Sequence, residues 1–144
     1  MANGVDKIRR LEPKETLLFV YGTLMRGGKL HHELGTSPKA KFVGKAKIRA
    51  ELYRLRGQGY PGAVQTSRLN RFVHGELYAL LNPDRVLKRI DEIEGCDEGL
   101  FKRRLVDVWQ KGKKRQAWTY FYGKSVSSAE PLPHGKFLPV RAVV

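Results

Sequence analysis

Only one stretch of this 144-residue chain carries the apolar period of a helix, and every other apolar segment is a short run. The helix is predicted from about 83 to 94. Asn82 suits the N-cap, Pro83 the first helical position, Asp84 the positive end of the dipole, and Gly95 the left-handed residue that closes the last turn. At about 100° per residue, Val86, Leu87, Ile90 and Ile93 form one apolar stripe. The remaining core has to come from strands. Leu17-Leu18-Phe19-Val20-Tyr21 is a continuous apolar run closed by Gly22, the pattern of a buried strand ending in a tight turn. Residues 41–55, 73–80, 101–110 and 115–122 are further strand candidates, the last two joined as a hairpin across 111–114. In 73–80, Val73, Gly75, Leu77 and Ala79 alternate with His74, Glu76, Tyr78 and Leu80, which suits a sheet packed on one face and partly polar on the other. Five short strands with few helices read as an α+β chain built on a small mixed β-barrel.

The length fits one domain and one core. Residues 1–15 are polar without period and read as a flexible arm, 16–124 as the folded domain, and 125–144 as a tail packing on it. No run approaches the roughly 18 to 20 apolar residues of a membrane span, and no block of signal-peptide character opens the chain, so a cytoplasmic location with no membrane partner is expected. Cys96 is the single cysteine. It excludes an internal disulfide and a cysteine-built zinc site, and Glu94 and Asp97 beside it should keep the thiol protonated. The four histidines, His31, His32, His74 and His134, have no metal-ligand spacing, so no metal site is expected.

The formal charge of +14, from 28 basic against 14 acidic residues, invites a nucleic-acid partner. The basic residues are spread along the whole chain, however, with short clusters at 102–104 and 111–115, and no nucleic-acid motif is present. They read as a solvated basic surface, with weak polyanion binding left open.

Two constellations carry chemistry. On the helical wheel Glu94 lies about 20° from Leu87 and about 50° from the stripe centre, whereas Asp91 is about 110° and Glu92 about 150° away. Glu94 alone of the three is expected to point inward. Desolvation and the negative helix end would raise its pKa and make it a general base; alternatively it pairs with an arginine or reaches solvent where the helix ends. The second constellation is Tyr21-Gly22-Thr23-Leu24-Met25-Arg26-Gly27-Gly28, a strand-to-turn junction leading into a short helix through Leu34. Its amides could converge on a carboxylate, or it is a plain tight turn. The loop Gly57-Gln58-Gly59-Tyr60-Pro61-Gly62-Ala63 could wall a pocket or merely turn the chain.

Three segments together resemble the γ-glutamylcyclotransferase-like family, which includes AIG2-like and γ-glutamylamine cyclotransferase-like proteins. They are Val20-Tyr21-Gly22-Thr23-Leu24, Val73-His74-Gly75-Glu76-Leu77-Tyr78 and Ile90-Asp91-Glu92-Ile93-Glu94-Gly95; Tyr60-Pro61-Gly62 and Ala117-Trp118-Thr119-Tyr120 also stand in order. The similarity runs from 17 to 122, roughly three quarters of the chain. It implies a small mixed barrel, a substrate site formed by Tyr21, Gly22, Thr23, Leu24, Tyr60, Pro61, Gly62 and Tyr120, and Glu94 as catalytic acid/base. The implied reaction converts a γ-glutamyl amine or related small γ-glutamyl compound to 5-oxoproline and free amine, with neither metal nor organic cofactor. Glu76 is read as the structural partner of an arginine, and Tyr120 or Tyr122 as a hydrogen-bonding group for substrate. The excess basic charge and the tail with Pro131, Pro133 and Pro139 depart from the family pattern. A rival reading is a basic barrel-shaped module that binds RNA or another polyanion, with Tyr53, Tyr60, Tyr78, Trp109 and Trp118 for stacking. A third is a catalytically inactive family member that binds a ligand.

Overall fold

The computed structural model describes residues 15–35 and 40–137. Most of the expected arm and the last residues of the tail lie outside them. In chain order the elements are β1 (Leu17–Val20), a single turn α1 (His32–Gly35), β2 (Ala40–Arg49), β3 (Glu51–Arg54), β4 (Pro61–Val64), β5 (Phe72–Leu80), α2 (Pro83–Ile93), a 3₁₀ turn (Cys96–Glu98), β6 (Phe101–Gln110), β7 (Lys113–Tyr122) and β8 (Glu130–Leu132). Five strands close into a barrel in the order β1-β5-β2-β6-β7, and β4-β3-β8 form a separate small sheet. The barrel is mixed because β1 meets β7 in parallel at Leu18 and Trp118, while its other pairs are antiparallel.

The continuous apolar run of β1 has a simple cause: all four residues are buried, on two different cores. Leu17 and Phe19, followed by Tyr21, fill the barrel with Ile48, Val73, Leu77, Val108 and Phe121. Leu18 and Val20 face outward into a second core built with Tyr78, Leu80, Tyr120 and the α2 stripe Val86, Leu87 and Ile90. The same arrangement corrects the expectation for β5. From Glu76 onward both of its faces are buried, because α2 covers the side that alternation alone marks as partly polar.

The helix boundaries agree with the sequence signals, with one difference. Asn82 caps α2 without its side chain: it adopts a left-handed conformation (φ 56°, ψ 58°), which Asn tolerates, while its carbonyl still accepts the Val86 N–H at 3.1 Å. At the other end Glu94 N–H donates to Ile90 O at 2.8 Å, and Gly95 at φ 64° turns the chain so that Leu100 N–H reaches Gly95 O. The helix therefore holds its geometry up to Glu94 rather than fraying before it. Between β6 and β7 the turn is Lys111-Gly112, both at positive φ, which matches the twist of a two-residue hairpin. Sequence reading misses β4 and β8, and it joins as one strand over 41–55 what are two, β2 and β3, which break at Ala50 and belong to different sheets. Pro61 and Gly62 disguise β4 as a loop, and Pro131 disguises β8, which survives as a strand because it pairs along one edge of its three-stranded sheet, against β3.

Candidate active site

The end of β1, the start of β4 and the last turn of α2 converge on one cavity of about 120 Å³. One wall is the chain from Phe19 to Leu24 with Leu30; a second is Tyr60 and Pro61; the third is Ile93, Glu94, Leu100, Phe101 and Tyr120. Two glycines make the convergence possible. A Cβ on Gly22 would lie 2.9 Å from Pro61 Cδ, so the first two walls approach this closely only without a side chain there. Gly95 reverses the chain directly after Glu94, which sets the carboxyl at the end of the helix against Leu100 and Phe101.

Glu94 is the chemically distinctive group. Burial pushes its carboxyl up to about 7, and its side chain has no hydrogen-bond or ion-pair partner among the described residues. The arginine partner considered from sequence does not materialise, because the nearby arginines are engaged elsewhere: Arg89 with Glu33 and Glu92, and Arg103 with Asp91. Its negative charge is felt across the cavity by the hydroxyls of Tyr21 and Tyr60, whose pKa values are raised by burial first and by Glu94 among the lesser causes.

Opposite Glu94 the turn after Tyr21 is tightly organised. Met25 N–H donates to Gly22 O, Leu30 N–H to Thr23 O, and His31 Nδ1 lies 2.9 Å from Leu24 O. These bonds use the carbonyls of Gly22, Thr23 and Leu24. Their three amides donate to no acceptor among the described residues, so the turn that forms this wall of the cavity holds three donors without internal partners there. Glu76 anchors the turn from behind: its carboxylate accepts Arg26 N–H at 2.8 Å, Arg26 Nε at 3.2 Å and the Tyr78 hydroxyl at 3.0 Å. It is the partner of an arginine, as its strand position suggests, and it does not line the cavity.

Of the residues expected at the site, Tyr21, Gly22, Thr23, Leu24, Tyr60, Pro61, Glu94 and Tyr120 all line this one cavity. Gly62 does not; it packs beneath Tyr122, where a Cβ would lie 2.8 Å from Tyr122 Cβ. Two of the tyrosine hydroxyls are already occupied. Tyr21 donates to Tyr120 O and accepts Ala63 N–H at 3.1 Å, so it ties β7 and β4 to the end of β1. Tyr120 donates to Asp91 Oδ1 at 2.6 Å, and burial followed by that bond raises its pKa far beyond the neutral range. Both offer the cavity ring surface and backbone, with hydroxyls committed to the protein.

Asp91 is the residue that wheel geometry misplaces. Although far from the apolar stripe, it is only half exposed and takes a two-pronged contact from Arg103, Nε to Oδ1 at 2.9 Å and Nη2 to Oδ2 at 3.1 Å, besides the Tyr120 hydroxyl. The bulk that shelters it comes from β6 and β7, which a single helical wheel cannot include. It also changes the account of Cys96, whose thiol is pushed up to about 11 by burial first and then by Asp91 and Glu94; Asp97, the neighbour singled out by sequence, is exposed and not among the causes. Among the described residues no group of three or more His, Cys, Asp or Glu is placed to hold a metal ion, and no helix is long and apolar enough to cross a membrane.

A small mixed barrel with a cavity at its mouth, lined by the half-buried Glu94 and by the turn after Tyr21, defines the class of fold, and comparison with known proteins places it. Residues 18–139 match the family described as gamma-glutamyl cyclotransferase, AIG2-like, and the chain belongs to that family. A curated protein of Methanocaldococcus jannaschii, named provisionally as a gamma-glutamylcyclotransferase, is 32% identical over 108 residues, covering 75% of this chain and 85% of the relative. Among solved structures, the mouse AIG2-like protein superposes with a TM-score of 0.70 at 23% identity, over 85% of this chain and 88% of that one. YkqA from Bacillus subtilis superposes at 0.67 with 22% identity; the match takes in 85% of this chain but 39% of YkqA, so this chain corresponds to about two fifths of that protein.

Proposed function

We propose that the protein converts a γ-glutamyl amine or a related γ-glutamyl compound to 5-oxoproline and the free amine, with Glu94 as general acid/base. The observation that carries this reading is that one cavity is lined both by a carboxyl held near neutrality by burial and by three residues whose backbone amides have no acceptor among the described residues. A group that must both take and return a proton works best with a pKa near the working pH, and Glu94 meets that demand where an exposed glutamate would not.

In the proposed reaction the amides of Gly22, Thr23 and Leu24 hold the substrate's α-carboxylate. The substrate bends until its α-nitrogen faces its own γ-carbonyl carbon. Glu94, ionised, takes a proton from the α-ammonium; the freed nitrogen attacks the γ-carbon, forming the C–N bond of a five-membered ring. As the carbonyl re-forms from the tetrahedral oxyanion, the γ-amide C–N bond breaks and Glu94 returns its proton to the leaving nitrogen. The ring nitrogen, still carrying the second proton of the former ammonium, gives that one up through Glu94 or solvent to the departing amine, which leaves as its ammonium with no net change in protons. Because attack is intramolecular, holding the reactive bend supplies much of the acceleration, and the protein needs little beyond positioning and proton transfer. Tyr60 and Phe101, with ring centroids 5.9 Å apart, give the cavity an aromatic side suited to the methylene chain of the glutamyl group.

The test is a mass-spectrometric screen of γ-glutamyl amines, γ-glutamyl dipeptides and glutathione, run in parallel on the protein and on Glu94→Gln. Release of 5-oxoproline from at least one class by the former and not the latter is expected. If no γ-glutamyl compound yields 5-oxoproline, the reading is wrong.

A further inference from the structure

Away from the cavity, the outer face of the barrel carries a patch that the cyclotransferase reading does not use. Alternation points Lys47 and Arg49 of β2 outward while Ala46 and Ile48 fill the barrel, and it does the same for Phe72 and His74 of β5 and Trp109 of β6. The register places His74, Lys47, Trp109 and Lys114 on one row across four strands, with Arg49 beside Phe72 on the next. With strands about 4.8 Å apart, that row spans about 14 Å. Phe72 and Trp109 are half-buried and meet edge to face, centroids 6.1 Å apart. Lys47 Nζ stands 4.5 Å from the Phe72 centroid; the Arg49 guanidinium carbon lies 5.6 Å from Phe72 and 5.4 Å from Trp109. Lys136 adjoins the same patch, since it and Lys47 both hold the His74 imidazole below its usual range, after burial.

The one carboxylate next to this row on β6, Asp107, is exposed and forms no ion pair with it among the described residues. Among the described residues Lys47, Arg49, Lys114 and Lys136 form no ion pair, whereas Arg26, Arg54, Arg68, Arg89 and Arg103 elsewhere on the molecule do. Cations left to pack on ring faces remain available to an anion, and half-exposed rings among them suit flat partners. We propose that this face binds single-stranded nucleic acid, with Phe72 and Trp109 taking stacked bases and Lys47, Arg49, Lys114 and Lys136 taking phosphates. The combination of rings and unbalanced cations on one face favours this ligand over a polyanion without bases. None of these residues lines the catalytic cavity, so the two functions are separable. The aromatic set shares only Trp109 with the one sequence suggested: Tyr53 lies in the separate three-stranded sheet, Tyr78 is buried, Tyr60 lines the cavity, Trp118 lies under Arg103, and Phe72 takes their place.

The experiment titrates the whole protein into fluorescein-labelled 20-mers of oligouridylate and oligodeoxythymidylate at several salt concentrations, reading anisotropy, with heparin as a base-free polyanion. Four phosphate contacts predict a log–log salt slope near −3, at about −0.7 per contact for single strands. The double variant Lys47→Ser, Arg49→Ser is expected to weaken binding at least 10-fold and reduce the slope by about 1.4. A control variant, Lys102→Ser with Arg104→Ser, removes the same charge elsewhere and should change affinity less than 3-fold. Trp109 fluorescence, isolated by Trp118→Phe, should be quenched by oligonucleotide and not by heparin. The proposal fails if neither oligonucleotide binds at 20 mM salt, if both double variants weaken binding equally, or if heparin and oligonucleotide act identically on Trp109.

Discussion

Asp91 and Glu94 stand three residues apart on one helix and have opposite circumstances. Asp91 is held by Arg103 and the Tyr120 hydroxyl, so its charge is compensated by geometry. Glu94 lines a cavity with no hydrogen-bond or ion-pair partner among the described residues, and burial raises its carboxyl to about 7. A carboxylate that is paired serves structure; one that is desolvated and unpaired keeps its proton within reach of neutrality and can serve chemistry. The difference lies in what packs against each side of α2: β6 and β7 bring Arg103 and Tyr120 to Asp91, whereas Glu94 meets a cavity walled mainly by the turn after β1, by Tyr60 and Pro61, and by Leu100 and Phe101.

The sharpest way to break this contrast is Glu94→Gln. It should lower 5-oxoproline formation by about 10²- to 10⁴-fold, the usual value of a general acid/base, with far-ultraviolet circular dichroism unchanged. Retention of more than about a tenth of turnover would remove Glu94 from its role. The same substitution should alter stability in the opposite sense. Because the folded pKa near 7 lies above the ordinary 4.5, the native state binds the proton more tightly than the unfolded chain, and stability is lost as pH rises from about 4.5 through about 7. At pH 8 the glutamine variant should therefore gain up to on the order of 3 kcal/mol relative to its difference at pH 4. Urea unfolding of both proteins at the two pH values measures this, and parallel pH dependences would contradict a desolvated Glu94.

Asp91→Asn probes the other member of the pair. It leaves Arg103 without its countercharge and should cost about 1 to 3 kcal/mol in urea unfolding. The plot of kcat/KM against pH should nevertheless keep a rising limb with its midpoint near 7, because burial and not Asp91 sets the Glu94 value. A shift of that midpoint by a full pH unit would mean the two carboxylates titrate together. The smallest effect is expected at the hairpin. Changing Lys111, Lys113, Lys114 and Arg115 to Ser together should leave turnover of a neutral γ-glutamyl amine within a few-fold, since exposed charges beyond about 8 to 10 Å are largely screened at physiological salt. A collapse of turnover in the folded variant would place that hairpin within the site.

Much of this was legible in the residues because the signals were local. The two marked ends of α2, the apolar run of β1 and the Lys111-Gly112 hairpin each depend on residues within a few positions of one another. Glu94 was legible because its place on the stripe survives to the last helical turn. What escaped depends on distant chain. Whether the Tyr78 face of β5 is wet or buried is decided by α2, and the shelter of Asp91 by β6 and β7. Pro61–Val64 is a strand only because β3 lies beside it. The basic face was visible as charge but not as a place, since Lys47, Phe72 and Trp109 come together only when the barrel closes.

The bonds from Glu76 to both the backbone and the side chain of Arg26 have a consequence for affinity. A loop that must be immobilised when its ligand arrives subtracts that lost freedom from the binding energy, about 0.5 to 1.5 kcal/mol for each rotamer-rich side chain and more for backbone. Here the freedom of the turn is surrendered during folding, so in the proposed reaction a carboxylate arriving at Gly22, Thr23 and Leu24 would meet a turn already held in place. Removing the anchor with Glu76→Gln would then show first as a raised KM with kcat nearly unchanged, the signature of a receptor that has become loose rather than one that has lost its chemistry.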